Sequence, residues 1–238
     1  MKVIILAAGQ GNRLGDHDLP KPLTPLSTGK SILGRQLDLL RKHVSLNDVM
    51  LVVGHHKEAI MDAFPELLFV YNPAYAHENT AKSLLRALVK CNEDVLWLNG
   101  DVVFHHSVLA AILALPQTGM IVNQGPVGEE EVKYRQDVNG LIETVSKQVT
   151  DPQGEALGIN YCSVGDLPRF RCALEVCENN DYFERGLDIC IEQGMKVKAV
   201  CVERHLCTEV DFPADLERAN MFLKEWLLFP GRGISKVL

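Results

Sequence analysis

Hydrophobic residues occur along this chain in two alternating patterns, short unbroken runs and longer stretches with helical spacing. The run Val3–Ala8 is apolar at every position, which is typical of a strand buried on both faces of a parallel sheet. The stretch Ser31–Val44 instead carries leucines three and four residues apart, as the buried stripe of a helix does. The start of the chain therefore predicts a strand followed by a helix.

The same alternation continues as far as residue 123. It predicts strands at Val49–Val53, Leu67–Tyr71, Val95–Leu98 and Met120–Asn123, and helices at Lys57–Phe64, Thr80–Cys91 and Val108–Leu115. Strands that alternate with helices form a mostly parallel sheet with right-handed crossovers. We therefore expect an α/β fold, a three-layer α/β/α Rossmann-like arrangement around a mixed, mostly parallel sheet.

The pattern changes after residue 125. Two short runs flank Asn139-Gly140, a pair that favours the tight turn of a β-hairpin. Beyond them the chain predicts strands at Ala156–Val164 and Lys196–Val202 and helices at Leu167–Glu178, Tyr182–Gln193 and Pro213–Trp226. We predict a single domain over residues 1–228, with about 125–165 as a variable insertion that contains the hairpin. Residues 229–238 are expected to form a flexible tail or a contact in a homodimer.

Charge and cysteine content narrow the functional classes. The 238 residues include 24 Lys and Arg against 31 Asp and Glu, and a net charge of −7 argues against a general nucleic-acid surface. No segment reaches the roughly 18 apolar residues that a membrane span requires, so we expect no membrane partner. The seven cysteines form no CxxC pair, which favours reduced thiols and a cytoplasmic protein.

The loop after the first strand carries the most informative motif. The sequence LAAGQGNRL is followed by LPKPL, so one loop contains small residues together with Arg13 and Lys21. Small residues let backbone N–H groups approach an anion, and both cations can contact phosphate oxygens. Leu14 occupies the third glycine position of the dinucleotide fingerprint, and no P-loop is present. The loop predicts a triphosphate cradle, the simpler alternative being a glycine turn with two solvated cations.

Two aspartates complete the candidate chemistry. Asp101 directly follows an apolar strand and a glycine, and Asp211 precedes the start of the last predicted helix. Carboxylates at strand ends can share Mg²⁺, a hard cation that prefers oxygen ligands. Asp211 or Asp215 could instead cap that helix, and Asp101 could be a turn residue. Spacing alone does not show that the two aspartates meet.

These motifs resemble the nucleotidyltransferase superfamily that activates phosphorylated small molecules. LAAGxGxRL with PKPL is similar to its signature, GKSILGRQLDLLRK to its first helix and LNGDVVF to its acidic metal loop. The run from Asn72 to Ser83 resembles the branch of cytidylyltransferases of the phosphocholine type, and the triplet Glu209-Val210-Asp211 resembles the E-[IV]-D motif near the C-terminus of the family. The resemblance extends from Met1 to about Arg218 and is weakest between Gly125 and Glu155.

The resemblance implies Mg²⁺-dependent transfer of a nucleoside monophosphate, most readily from CTP, to a phosphorylated small molecule. It implies catalytic roles for Arg13 and Lys21 and magnesium ligation by Asp101 and Asp211. The implied nucleotide-binding residues are Leu6, Ala7, Ala8, Gly9, Gly11, Asn79, Ser83 and Gly100. The residues implied on the acceptor side, or behind the metal ligands, are Glu155, Gly158, Tyr161, Tyr182, Glu184 and Glu209.

Three alternatives remain open from the sequence. One is a sugar-1-phosphate enzyme that uses UTP, dTTP or GTP. Another is a catalytically silent nucleotide-binding regulatory module, which the joint presence of Arg13, Lys21, Asp101 and Asp211 disfavours. A nicotinamide-dependent oxidoreductase is the third, and the broken glycine fingerprint argues against it.

Overall fold

A computed structural model of the chain describes residues 1–11 and 19–228. The predictions for Arg13 and for the tail 229–238 lie outside these described residues. The strands are β1 (Lys2–Ala7), β2 (Val49–Val53), β3 (Leu68–Tyr71), β4 (Val95–Asn99), β5 (Val102–Phe104), β6 (Gly119–Val122), β7 (Lys133–Gln136), β8 (Ile142–Ser146), β9 (Gly154–Cys162), β10 (Lys198–Cys201) and β11 (Cys207–Glu209). The helices are α1 (Ile32–Leu40), α2 (Lys57–Ala63), α3 (Thr80–Leu88), α4 (His106–Leu113), α5 (Leu167–Val176), α6 (Phe183–Glu192) and α7 (Pro213–Leu228).

The main sheet is mixed and mostly parallel, as expected. Its strand order is β10-β6-β9-β4-β1-β2-β3, and β1, β2, β3 and β4 all run parallel. Strand β9 runs antiparallel between β4 and β6, and the hairpin β7–β8 attaches to it through β7. The predicted α/β fold with a small hairpin is confirmed.

Strand β1 shows why the first apolar run is unbroken. Ile4 and Leu6 lie in the core on one face of the sheet, together with residues of α3, α5 and α6. Val3, Ile5 and Ala7 lie in the core on the opposite face, with residues of α1 and α4. Successive side chains point to opposite faces of a strand, so a strand covered by helices on both sides must be apolar throughout.

Two helices end earlier than the spacing predicts. Helix α1 ends at Leu40 rather than Val44, and α3 ends at Leu88 rather than Cys91. Beyond both ends the amides bond carbonyls three residues back, as from His43 to Leu40 at 2.9 Å. Such tight turns keep the last apolar residues against the core, which preserves the helical spacing beyond the helix itself.

Two short strands have no counterpart in the sequence prediction. Strands β5 and β11 pair antiparallel and form a separate two-stranded sheet. Each is only three residues long, too short for an alternating pattern to identify. Within residues 1–11 and 19–228, no helix is both long and apolar enough to cross a membrane.

Candidate active site

A cleft of about 780 Å³ lies at the carboxyl edge of the parallel strands. Residues after β1 and β4 line it, and so do Glu155 and Ala156 at the start of the antiparallel β9. Ligands bind at this edge in open α/β sheets, because the loops that follow the strands converge there. The predicted location of the site agrees with the position of the cleft.

The small sheet brings the two predicted metal ligands together. Strands β5 and β11 pair Val102 with Glu209, and the amide of Val210 donates to the carbonyl of Asp101 at 3.0 Å. Asp101 precedes β5 and Asp211 follows β11, so the pairing places the two aspartates side by side. The sequence could not show this meeting, because neither strand was predicted.

Lys21 lies between these aspartates. Its Nζ is 3.5 Å from Oδ2 of Asp101 and also contacts Oδ1 of Asp211. Burial alone would lower the pKa of Lys21, but the two carboxylates outweigh burial and raise it. Gly11 has a φ of +65°, and a Cβ there would lie 2.9 Å from Cγ of Lys21. A glycine at this position therefore leaves room for the lysine stem.

Asp215, in the first turn of α7, bonds back to the residues before the helix as in a capping box, and Asp211 accepts no such bond from any described residue. One carboxylate oxygen of Asp215 accepts from the amides of Asp211 at 3.0 Å and Phe212 at 2.8 Å. These amides precede α7, where unpaired N–H groups need an acceptor. The Asp211 side chain lines the cleft instead, and its role as a metal ligand stays a prediction.

The two aspartates fit a magnesium ion. Oδ1 of Asp101 is buried and has no hydrogen-bond partner among the described residues. Burial raises the pKa of Asp101; Lys21 opposes this effect and Asp211 adds to it, so further positive charge would stabilise the ionised pair. In the described part of the chain, no three His, Cys, Asp or Glu side chains form a metal cage. An ion held by two carboxylates and phosphate oxygens requires no such cage.

Glu209 lies behind the aspartates and is held from two sides. Its Oε1 accepts from Nδ2 of Asn99 at 3.1 Å. Gly158 has a φ of +63°, and a Cβ there would lie 2.6 Å from both the Asn99 amide and the Glu209 carboxylate. The buried Gln36 side chain donates to the carbonyls of Asn99 and Val102 at 2.9 and 2.8 Å. Asn99 and Gln36 thus support the site, and nothing in the sequence pattern distinguished them from ordinary core residues.

The predicted nucleotide-binding residues of α3 have structural bonds of their own. Asn79 caps the helix through Oδ1, which accepts from the Thr80 amide at 2.8 Å, and its Nδ2 donates to the Asn180 carbonyl at 3.3 Å. Ser83 accepts from Nδ2 of Asn72 at 3.0 Å. Both residues line the cleft, but the cap and the bond to Asn180 already account for the polar contacts of Asn79. Nucleotide binding by these residues stays a prediction.

The predicted acceptor residues line a further part of the cleft wall. Oε1 of Glu155 accepts from Nδ2 of Asn123 at 2.5 Å, and burial raises the pKa of Glu155. The ring of Tyr182 lies 4.8 Å from Nζ of Lys147. Glu184 is only 5% exposed, and burial raises its pKa to about 7. This wall therefore holds buried carboxyls beside a partly exposed aromatic ring.

Most of the predicted site residues lie together. Those that line the cleft are Leu6, Ala8, Gly9, Gly11, Lys21, Asn79, Ser83, Asp101, Glu155, Tyr182, Glu184, Glu209 and Asp211. Ala7 instead packs into the core beneath the loop, and the amide of Gly100 donates to the Leu6 carbonyl at 2.8 Å. Gly158 lies behind Glu209, against its carboxylate.

Tyr161 is a correction to the predicted acceptor side. It pairs with Leu96 within the sheet and is 9% exposed. Burial and a hydrogen bond with Asp94 raise its pKa to about 12, and Asp94 precedes β4 at the far edge of the sheet. Because β9 runs antiparallel, its early residues reach the cleft and its late residues point away from it.

Three cations that line the cleft were missed. Lys147 contacts Glu130 at 3.3 Å, Arg204 donates to the Pro126 carbonyl, and Arg218 also faces the cleft. Each stands alone in a loop or on a polar helix, so no motif marked it. They add positive charge to a wall that is otherwise acidic.

The fold and the cleft together define an α/β protein with a glycine-rich loop and paired carboxylates at the carboxyl edge of its sheet. Residues 3–144 match the family described as the MobA-like NTP transferase domain, and the chain belongs to this family. The predicted membership of the nucleotidyltransferases is therefore confirmed.

Individual relatives share parts of the chain. It is 36% identical over 135 residues to CMP-5'-(3-aminopropyl)phosphonate synthase of Streptomyces rubellomurinus, covering 53% of this chain and 21% of the relative. It is 30% identical over 196 residues to the bifunctional protein GlmU of Methanococcus maripaludis, covering 78% of this chain and 44% of the relative. The chain thus spans less than half the length of either relative.

A solved structure shows the same fold over nearly the whole chain. The CTP:phosphocholine cytidylyltransferase LicC of Streptococcus pneumoniae superposes with a TM-score of 0.77 at 18% identity. The superposition covers 93% of this chain and 98% of that one.

Proposed function

We propose that this protein transfers a nucleoside monophosphate from a nucleoside triphosphate, most readily CTP, to a phosphorylated or phosphonate small molecule. Pyrophosphate is the second product, and Mg²⁺ is the metal cofactor. The observation that carries the proposal is the convergence of Lys21, Asp101 and Asp211 at the cleft beside the glycine-rich loop. Two carboxylates and an ammonium at one point suit a reaction in which two anions must meet.

The reaction requires little proton chemistry. An acceptor phosphate oxygen forms a bond to the α-phosphorus, and the bond from that phosphorus to the pyrophosphate oxygen breaks. The second pKa of a phosphate monoester is about 6, so the nucleophile is already ionised at neutral pH. The protein therefore needs no general base and contributes mainly charge and orientation.

Each described residue has a physical task in this scheme. Lys21 offsets the charge of the phosphates, and the backbone of Gly9 and Gly11 lets them approach the loop. Asp101 and Asp211 would hold the magnesium ion, which supplies positive charge to the phosphoryl oxygens when bound. The amide of Val210 holds the carbonyl of Asp101, and the bonds around Glu209 and Asn99 fix the two segments that flank it.

The choice of CTP and of the acceptor rests on similarity. The Streptomyces relative is named for a product that joins CMP to an aminopropylphosphonate, and LicC is named for CTP and phosphocholine. The second candidate is transfer to a sugar 1-phosphate from UTP, dTTP or GTP. The carboxylates of Glu155 and Glu184 are compatible with this alternative, because carboxylates accept hydrogen bonds from hydroxyl groups such as those of a sugar.

The test is pyrophosphate release with each of the four ribonucleoside triphosphates and dTTP, Mg²⁺ and a panel of phosphorylated and phosphonate acceptors. We expect release with CTP, and a loss of at least about 100-fold in Lys21→Ala and Asp101→Asn, since removal of one charge-stabilising group has effects of this size. Lys30→Ala is the matched control, because Lys30 pairs with Asp38 on the surface and its side chain is 58% exposed. Full activity in Lys21→Ala and Asp101→Asn would refute the mechanism, and release only with another triphosphate would refute the choice of CTP.

A further inference from the structure

Among the carboxylates that line the cleft, Glu184 differs in its bonding from Glu78, Glu155 and Glu209. Glu78 is paired with Arg86 at 2.8 and 3.0 Å, Glu155 accepts from Asn123, and Glu209 accepts from Asn99. Oε2 of Glu184 is buried, and no described residue donates a hydrogen bond to it. A buried carboxyl oxygen without a donor is costly, so a site that retains one is suited to a ligand that supplies the donor.

Glu184 lines the cleft beside the start of α3, where the amide of Phe183 donates to Oγ1 of Thr80 at 3.0 Å. It lies in the first turn of α6, after Tyr182, and both residues line the cleft. The pKa of Glu209 is raised mainly by burial and by Asp101, and Asp211 and Glu184 add smaller contributions. The carboxyl of Glu184 therefore lies within electrostatic range of the predicted metal ligands. An acceptor whose phosphate lies at Asp101 and Asp211 could therefore extend its other end toward Glu184.

The charges that line the cleft favour a cation at that end. Among the described residues, nine acidic and four basic side chains line it. Lys147 partly offsets Glu184, but its ammonium is also engaged by Glu130 and lies against the Tyr182 ring. A neutral polyol adds no positive charge to this lining, whereas an ammonium offsets one of its negative charges.

The same wall favours N–H donors over a quaternary ammonium. A trimethylammonium group donates no hydrogen bond and is bound by a cage of aromatic faces. Here Lys147 lies against the Tyr182 ring, while Phe183, which also lines the cleft, is only 1% exposed and packs edge-on with the Trp97 ring at 5.6 Å between ring centroids. An N–H group can instead satisfy Oε2 of Glu184 with a charge-assisted hydrogen bond.

We propose that the acceptor carries a primary or secondary ammonium group at the end opposite its phosphate or phosphonate, and that Glu184 binds this ammonium. The inference rests on the proposed function and specifies its substrate class as aminoalkyl phosphates or phosphonates. A raised pKa near 7 fits a carboxyl that ionises fully only when the ammonium arrives.

The test measures binding, so it does not depend on turnover. The full chain is titrated, with Mg²⁺ and a non-reactive CTP analogue, with 2-aminoethylphosphonate and 3-aminopropylphosphonate. Their alkyl, hydroxyalkyl and trimethylammonio counterparts serve as matched probes. We expect the better amine to bind about 10- to 100-fold more tightly than its counterparts, the range of a hydrogen bond to a charged group.

Two substitutions on α6 test whether the carboxylate of Glu184 causes the preference for amines. Glu184→Gln keeps the shape and removes the buried charge, so it should fold at least as stably and reduce the amine preference to within about twofold. Glu192→Gln on the same helix, with a side chain 62% exposed, should leave the preference unchanged. The inference is overturned if the alkyl, hydroxyalkyl or trimethylammonio probe binds as tightly as the amine, if neither amine binds, or if Glu184→Gln retains the preference.

Pyrophosphate release in the same mixtures, with CTP in place of the analogue, separates the two proposals. Amine preference without release would overturn the proposed function and leave the ammonium site intact. Release with equal kcat/KM for amine and alkyl acceptors would overturn the ammonium site and leave nucleotidyl transfer intact.

Discussion

Replacement of Gly158 by alanine tests whether the close packing of Gly158 against Asn99 and Glu209 positions the residues of the site. The φ of +63° disfavours any residue with a Cβ by about 1–2 kcal/mol. The added Cβ would also lie 2.6 Å from the amide nitrogen of Asn99 and the carboxylate of Glu209, and overpacking of this kind costs about 1–3 kcal/mol more. We therefore expect Gly158→Ala to lower the free energy of unfolding by about 2–5 kcal/mol.

Gly194→Ala is the matched control for this experiment. Gly194 has a φ of +87°, but a Cβ added there would meet no atom within 4 Å, so the substitution introduces the backbone strain without the clash. Urea denaturation should show a loss of only about 1–2 kcal/mol, with unchanged pyrophosphate release. Gly158→Ala should additionally slow release by at least about 10-fold, because small displacements of positioning groups have large effects on rate. Equal losses of stability and activity in the two variants would refute the assigned role of Gly158.

The contacts of the site support three further predictions. Asp215→Ala should lower the free energy of unfolding, measured in urea, by about 1 kcal/mol and should reduce pyrophosphate release, because the backbone amides of Asp211 and Phe212 lose their acceptor. Asp215→Asn keeps an oxygen acceptor and should retain most of the stability and most of the release. The raised pKa of Glu184 means that the folded state binds the proton of this carboxyl more tightly than the unfolded state does. The free energy of unfolding should therefore fall by about 3 kcal/mol through this group as pH rises from about 4.5 to 7. A Glu184→Gln variant whose free energy of unfolding kept this pH dependence would contradict the burial argument. Chelation with EDTA should abolish pyrophosphate release and restoration of Mg²⁺ should recover it, while persistent release in EDTA would exclude the role proposed for Asp101 and Asp211.

The parts of the site that follow strands were predictable from the sequence. A strand such as β1 must be apolar on both faces, so its end is well marked, and the residues after it can be assigned to the carboxyl edge. Lys21 and Asp101 were located by this reasoning. The helices were also found, although α1 and α3 end before their apolar spacing does.

The remaining parts depend on contacts between distant segments. The pairing of β5 with β11 joins residues more than one hundred positions apart, and three-residue strands leave no periodic trace. Tyr161 was misplaced because the direction of β9 cannot be read from its composition, and direction decides which end reaches the cleft. Asn99 and Gln36 were missed because the role of a side-chain amide is seen only from its hydrogen-bond partners, which the sequence does not give.

The antiparallel direction of β9 has a consequence for how such a protein can change. Strand β6 leaves the sheet at the cleft edge and β9 enters it at that same edge, so the chain between residues 123 and 153 departs from and returns to one place. This excursion can be lengthened, shortened or exchanged without moving β1 or β4, which carry the phosphate loop and Asp101. Under the proposed function, a different acceptor would then require changes in this one segment, which also packs Tyr134 and Val145 into the core, while β1 and β4 stay as they are.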